Sequence, residues 1–198
     1  MTIANYLTIG RLFISPIFLM FYLKHESLGI PFYYLPYILL FLLTILELSD
    51  ALDGYIARKM NQVTDLGKIL DPMADSISRI TVFLTLTEGV IQLPMILVFV
   101  FLYRDSAVTT LRSICALRGF ALAARTSGKI KAIIQAVAAI SIIVLMIPYS
   151  WGNISLETLQ NLSTTIVTLA AIYTFFSAFD YFYAHRSYIR KILVTKGE

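Results

Sequence analysis

The sequence predicts an all-α integral membrane protein of six transmembrane helices, with both termini in the cytoplasm and a single domain over residues 1–198. Three observations carry that expectation. Hydrophobic residues make up 58% of the chain and mean hydropathy is +0.78, too apolar for a soluble domain of this length. Charged residues are only 14%, and the stretches between them are long enough to span a bilayer. The basic residues are also segregated. With six spans, the termini and the 58–68 and 112–131 connections share one side, which holds Arg58, Lys59, Lys68, Arg112, Arg118, Arg125, Lys129, Lys131, Arg186, Arg190, Lys191 and Lys196. The opposite loops hold only Lys24, beside Glu26, Glu88 and Glu157. Positive charge marks the cytoplasmic side.

The first span, 6–23, lies in MTIANYLTIGRLFISPIFLMFYLK. It lacks a basic leader and a small-residue cleavage site and carries Arg11 inside the apolar run, so it reads as a retained helix and not a signal peptide. The second, 34–58, follows the turn-like HESLGIP and ends in Arg58-Lys59. The third, 68–87, has two possible starts: Thr64 and Asp65 as a cap, or Asp71-Pro72 as a cap followed by proline at the first helical position. The fourth, 91–111, follows EGVIQLP and carries Arg104 and Asp105 at depth, where ionisable side chains are costly and are usually paired or functional. The fifth and sixth, 130–149 and 157–183, are the most continuously apolar. One cysteine, Cys115, excludes an intrachain disulfide and reads as packing; His25 and His185 read as interfacial. The 12 Tyr and 13 Phe are expected to face lipid or form interfacial belts, which argues against a nucleic-acid surface.

Residues 50–75 read DALDGYIARKMNQVTDLGKILDPMAD and sit where a span leaves the bilayer. Asp50 and Asp53 are three apart and share a helix face; Asp71 and Asp75 are four apart and share another, with Gly67 one turn earlier. Four carboxylates beside apolar helices repel one another unless protonated or holding cations. Hard oxygen donors suit Mg2+, Mn2+ or Ca2+. Two such ions about 4 Å apart clamp the attacking and leaving oxygens of an in-line phosphoryl displacement. Gly54 and Ala57 follow Asp50 and Asp53 by one turn and leave room for a ligand, and Arg58 can neutralise a phosphate oxygen. Downstream, RDSAVTTLRSICALRGFALAARTSGKIKA adds Thr109, Thr110, Arg112, Lys129 and Lys131, a pocket suited to an anionic co-substrate. Topology and anionic lipid explain Arg118 and Arg125 equally well.

The spacing D-x2-D-G-x2-A-R-x8-G-x3-D-x3-D resembles the signature of the CDP-alcohol phosphatidyltransferases at all eight of its positions, and NYLTIGRL and the span count extend the likeness through most of the chain. LDPMAD, RDSAVTTLR and GKIKA are most similar to the bacterial branch that joins CDP-diacylglycerol to glycerol 3-phosphate and releases CMP, the phosphatidylglycerophosphate synthases. The chain departs from that branch at Ser76, where Lys is common, at Asp105, where Glu is usual, and at Ala132, where Thr is frequent.

The resemblance implies that Asp50, Asp53, Asp71 and Asp75 hold two divalent cations, Mg2+ or Mn2+. Asp50, Gly54, Ala57, Arg58 and Gly67 would bind the nucleotide. Asp75 would be the catalytic base for the acceptor hydroxyl, and Thr109, Arg112, Lys129 and Lys131 would hold the acceptor phosphate. The expected partners are CDP-diacylglycerol, glycerol 3-phosphate, membrane lipids and a second copy of the chain in a homodimer, with no nucleic acid. The expected place is the bacterial cytoplasmic (inner) membrane, with the site facing the cytoplasm. The same chemistry with inositol phosphate, serine, phosphatidylglycerol or choline as acceptor is the alternative. A cation transporter is a distant one: it predicts acids at the midplane of discontinuous helices and an internal repeat, whereas these acids gather at one interface and no repeat is visible.

Overall fold

The computed structural model describes residues 3–59, 65–117, 125–187 and 189, and the side chains of 8–50, 52, 71–115, 125–187 and 189. Among the described residues six helices form: α1 (Ile3–Lys24), α2 (Leu35–Lys59), α3 (Asp65–Thr85), α4 (Met95–Leu117), α5 (Thr126–Ser150) and α6 (Leu156–Ala184). No strand occurs among the described residues. The helix count and order agree with the sequence. The boundaries differ where backbone chemistry intervenes. α3 starts at Asp65 and runs through Asp71-Pro72, so Pro72 lies inside the helix, where its missing N–H leaves one carbonyl of the preceding turn unbonded. α4 starts at Met95, not 91, because Gly89 (φ +67°) and Gln92 (φ +52°) take left-handed turns ahead of Pro94. Among the described residues, two helices, α5 and α6, are long and apolar enough to cross a membrane; the acids and bases within α2, α3 and α4 lower their hydropathy.

The principal packing pairs are α1 with α2 and α3, α5 with α2 and α6, and α4 with α3 and α6. They close a ring in the order α1, α2, α5, α6, α4, α3. One end of the ring is an apolar core: Phe18 of α1, Leu39 and Leu43 of α2, Phe83 and Leu86 of α3, Phe101 of α4, Ile142, Ile143 and Met146 of α5, and Leu159 and Val167 of α6, all buried. Phe83 and Phe101 meet with ring centroids 4.8 Å apart. Tyr22 pins this end. Its hydroxyl donates to the Glu88 carbonyl at 3.0 Å and accepts from the Ile91 amide at 3.2 Å, and a Cβ on Gly89 would stand 2.8 Å from its ring.

At the opposite end the interior is polar: Thr8, Arg11 and Ser15 on α1, Ser78 on α3, Asp105 on α4, Lys131 and Gln135 on α5, and Thr174 and Ser177 on α6 are buried. The outer surface inverts the usual pattern. Phe13, Phe41, Ile96, Ile133, Leu169 and Phe176 are each more than 60% exposed, on every helix except α3. Large apolar side chains spread around a bundle with a polar interior suit a lipid surrounding. Tyr33, Tyr34 and Trp151 are exposed near the apolar end, with Tyr33 stacked on Trp151, as at a membrane–water boundary.

Candidate active site

Of the four motif aspartates, the three whose side chains are described, Asp50, Asp71 and Asp75, each meet a donor on a helix. Asp50 on α2 accepts from Arg11 Nη1 at 2.6 Å. Asp71 on α3 accepts from Thr8 Oγ1 at 2.8 Å. Asp75, one turn further along α3, accepts from Arg79 Nη2 at 2.7 Å. α1 thus supplies the partners of two acids that lie 39 and 63 residues away in sequence. The donors are buried, Arg11 at 1% exposure, whereas the Asp50 and Asp75 side chains are 42% and 35% exposed. Among the described residues, the second oxygen of each of these carboxylates accepts no hydrogen bond. Glu47, one turn before Asp50, lines a small interior cavity with Asp50, Asp75, Arg79 and Gln135.

The side chains of Asp53, Gly54, Ala57, Arg58 and Gly67 lie outside the described residues, although their backbone belongs to α2 and α3. Among the described residues no three His, Cys, Asp or Glu side chains stand close enough to hold one ion. The donor chemistry nonetheless fits Mg2+ or Mn2+: the accessible atoms are hard carboxylate oxygens of Asp50 on α2 and of Asp71 and Asp75 on adjoining turns of α3, with no thiolate or imidazole among them.

The basic side is built differently. Asp105 on α4 is 7% exposed, and its Oδ1 accepts from Arg104 at 3.0 Å and from Lys131 Nζ at 2.8 Å, while its Oδ2 accepts from the same ammonium at 2.9 Å. Arg104 Nε also donates to Ser177 on α6, at 3.2 Å. At the start of α5, Arg125 Nε forms an ion pair with Asp180 Oδ2 at 2.9 Å, and Ser127 Oγ donates to the same oxygen at 2.5 Å. The depth of Arg104 and Asp105 anticipated their pairing, and the structure adds Lys131 as a second cation on the same carboxylate.

A cleft of about 250 Å³ joins the two sides, lined by Asp75 and Ser76 from α3, Thr109 and Arg112 from α4, and Lys129, Lys131 and Ala132 from α5. It therefore brings together Asp75 and all four residues expected to hold an acceptor phosphate. Arg112 and Lys129 are exposed and make no ion pair among the described residues; Lys131 is 4% exposed and already on Asp105. Sequence reasoning missed Thr8, Glu47, Arg79 and Gln135, and read Arg11 only as an obstacle to a leader peptide. The signals were present in part. Glu47 lies three residues before Asp50 and Arg79 four after Asp75, so each shares a face with an aspartate, and an arginine in an apolar helix requires a partner.

Partly exposed acids and exposed cations thus face one another across a single cleft, as an enzyme acting on charged substrates requires. Residues 1–176 match the CDP-alcohol phosphatidyltransferase family, and the chain belongs to it. The family generally uses divalent metal ions. The chain is 34% identical over 192 residues to the CDP-diacylglycerol–glycerol-3-phosphate 3-phosphatidyltransferase of Rickettsia typhi, covering 94% of this chain and 98% of that one. It is 31% identical over 188 residues to the enzyme of the same name from Bacillus subtilis, covering 91% and 93%. A cardiolipin synthase (CMP-forming) of Streptomyces coelicolor is 35% identical over 123 residues, or 61% of this chain and 54% of that one.

Proposed function

We infer that the chain is a membrane-embedded transferase that moves the phosphatidyl group of CDP-diacylglycerol to glycerol 3-phosphate, giving phosphatidylglycerophosphate and CMP. The observation that carries this reading is the cleft shared by Asp75 and two exposed cations, Arg112 and Lys129. An acid able to take a proton faces charges able to hold a phosphate, as a phosphorylated alcohol requires. The names of near full-length relatives point to the same acceptor.

Asp50, Asp53, Asp71 and Asp75 would hold two divalent cations, Mg2+ or Mn2+, which when bound neutralise the pyrophosphate and stabilise the charge developing on the departing CMP oxygen. Asp50, Gly54, Ala57, Arg58 and Gly67 form the nucleotide pocket, small residues admitting the phosphates closely and Arg58 offering a charge-assisted bond. Thr109, Arg112, Lys129 and Lys131 hold the acceptor phosphate, with Lys131 also carrying the charge of Asp105. The acceptor hydroxyl attacks the phosphorus that bears diacylglycerol. Its oxygen–phosphorus bond forms as the bond to the CMP oxygen breaks, and Asp75 takes the hydroxyl proton.

On this reading all six helices span the bacterial cytoplasmic membrane as one domain, the polar end opens to the cytoplasm, and the assembly is a homodimer. Orientation is read by cysteine labelling in a Cys115→Ser background. A cysteine at the exposed Asn153 is expected to react with an impermeant reagent outside intact cells and one at the exposed Thr126 to stay unlabelled; the reverse would turn the site outward. The acceptor is tested by offering labelled CDP-diacylglycerol with a panel of alcohols. CMP release that needs both divalent metal and glycerol 3-phosphate is expected. Preference for serine, inositol phosphate, choline or phosphatidylglycerol would overturn the substrate assignment, the last in favour of the chemistry of the Streptomyces coelicolor relative.

A further inference from the structure

Arg79 belongs to neither half of the site alone. It stands one turn after Asp75 on α3, and such i,i+4 pairs are weak on a solvated helix. Here the side chain is 9% exposed and its fork is used in two directions. Nη2 donates to Asp75 Oδ1 at 2.7 Å, and Nη1 donates to the backbone carbonyl of Ala132 at 2.8 Å. Ala132 lies on α5 directly after Lys131, and Asp75, Lys131 and Ala132 all line the acceptor cleft. One planar guanidinium therefore spans from the acid to the backbone that carries the facing cation. A fork fixes its two partners relative to each other, which a point charge on a flexible stem does not. α3 and α5 are not among the principal packing pairs of the ring, so this bridge crosses its interior.

We propose that Arg79 is a positioning residue for phosphatidyl transfer: it holds Asp75 by Oδ1, leaves Oδ2 open to the cleft, and fixes that carboxylate relative to the acceptor-binding turn of α5. The inference rests on the reading of Asp75 as the proton acceptor. Arg79 touches no reacting atom, and its effect passes through Asp75. A misplaced base slows the chemical step far more than it weakens binding, because displacement of about 1 Å can cost roughly a hundredfold in rate.

The test is a double-mutant cycle on the full chain in lipid with saturating Mg2+, comparing the parent, Asp75→Asn, Arg79→Gln and the double variant, with Arg79→Lys alongside. Arg79→Gln is expected to lower kcat roughly 10- to 100-fold, with KM for both substrates and calorimetric binding of a CDP ligand close to parental. Arg79→Lys is expected to recover part of the loss, since it keeps the charge and loses the fork. The double variant is expected to be no slower than Asp75→Asn, because Arg79 has nothing left to position. A parental kcat in Arg79→Gln, or losses that multiply in the double variant, would overturn the proposal while leaving Asp75 as the base. A parental kcat in Asp75→Asn would remove the base reading and this proposal with it. Should Arg79→Gln fail to fold, the cycle is run with Arg79→Lys, where a parental kcat is equally fatal.

Discussion

The two sides of the cleft solve opposite electrostatic problems. On the α1–α2–α3 side the acids are partly exposed and each described one is held through a single oxygen by a donor, so carboxylate oxygens stay open to the mouth. On the α4–α5–α6 side the cleft-lining acid is buried and paired through both oxygens: Asp105 receives Arg104 and Lys131, while Asp180 is taken by Arg125 and Ser127, and the positive charge of Arg112 and Lys129 is left exposed. One side keeps negative charge accessible and the other keeps positive charge accessible, which is the division the proposed metal and phosphate sites require. A buried ion pair is a costly element of stability, but here it neutralises a carboxylate whose charge would otherwise repel an anion entering the cleft.

The comparison breaks most sharply at Asp75. Asp75→Asn keeps the size of the side chain and loses its proton-accepting oxygen, so kcat is expected to fall by roughly 10²–10⁴ while CDP-ligand binding, measured by calorimetry, survives better. Equal losses of binding and rate would leave Asp75 as a ligand only. Next come Asp50→Ala, Asp53→Ala and Asp71→Ala, each expected to lower turnover at least about a hundredfold because the metal clamp is shared. Chelator should abolish activity and added Mg2+ or Mn2+ restore it; full activity in excess chelator would end the metal reading.

On the basic side the expected losses are smaller and lie in acceptor affinity. Arg112→Ala and Lys129→Ala should raise the KM for glycerol 3-phosphate roughly ten- to a hundredfold, the worth of one charge-assisted bond at about 1.5–3 kcal/mol. Steady-state titration of each substrate should show KM for CDP-diacylglycerol nearly unchanged, and Arg112→Lys should rescue only in part. Lys131→Ala carries an added cost, because Asp105 keeps Arg104 alone; its thermal unfolding should drop where that of the other two does not. The smallest effect is expected at Arg125, whose pair with Asp180 is about 40% exposed on both sides. Arg125→Ala should cost about 0.2–1 kcal/mol in an unfolding titration and change the acceptor KM by less than about fivefold. A larger change would place Arg125 in the acceptor grip.

Legibility in the sequence followed the range of the interaction. The six helices and the aspartate pairs rest on periodicity within a helix, where three- and four-residue spacings map directly onto faces. Arg79 was equally legible, one turn from Asp75, but its second bond to α5 was not. The hydroxyl of Thr8 on Asp71 and the guanidinium of Arg11 on Asp50 depend on which helices become neighbours, which a motif does not encode. The late start of α4 turns on two left-handed residues, Gly89 and Gln92, and only the glycine advertises that conformation. At Asp71-Pro72 the sequence offered a cap, yet the helix had already begun at Asp65 and continued through the proline.

The order of the ring has a consequence for how the protein is made. Helices are synthesised in chain order, yet α2 packs on α5 and α4 on α6, while neither α2 with α3 nor α4 with α5 is a principal pair. A nascent chain that has delivered four helices holds α1, α2, α3 and α4 as an open arc. Asp105 then has Arg104 but still lacks Lys131, and Arg79 lacks its α5 carbonyl. Only the last third of translation closes the circle, and the cleft between acids and bases exists only from that moment. A chain stopped before α5 would be left with Asp105 and Arg79 on an unclosed arc, each short of a partner that only the complete ring supplies.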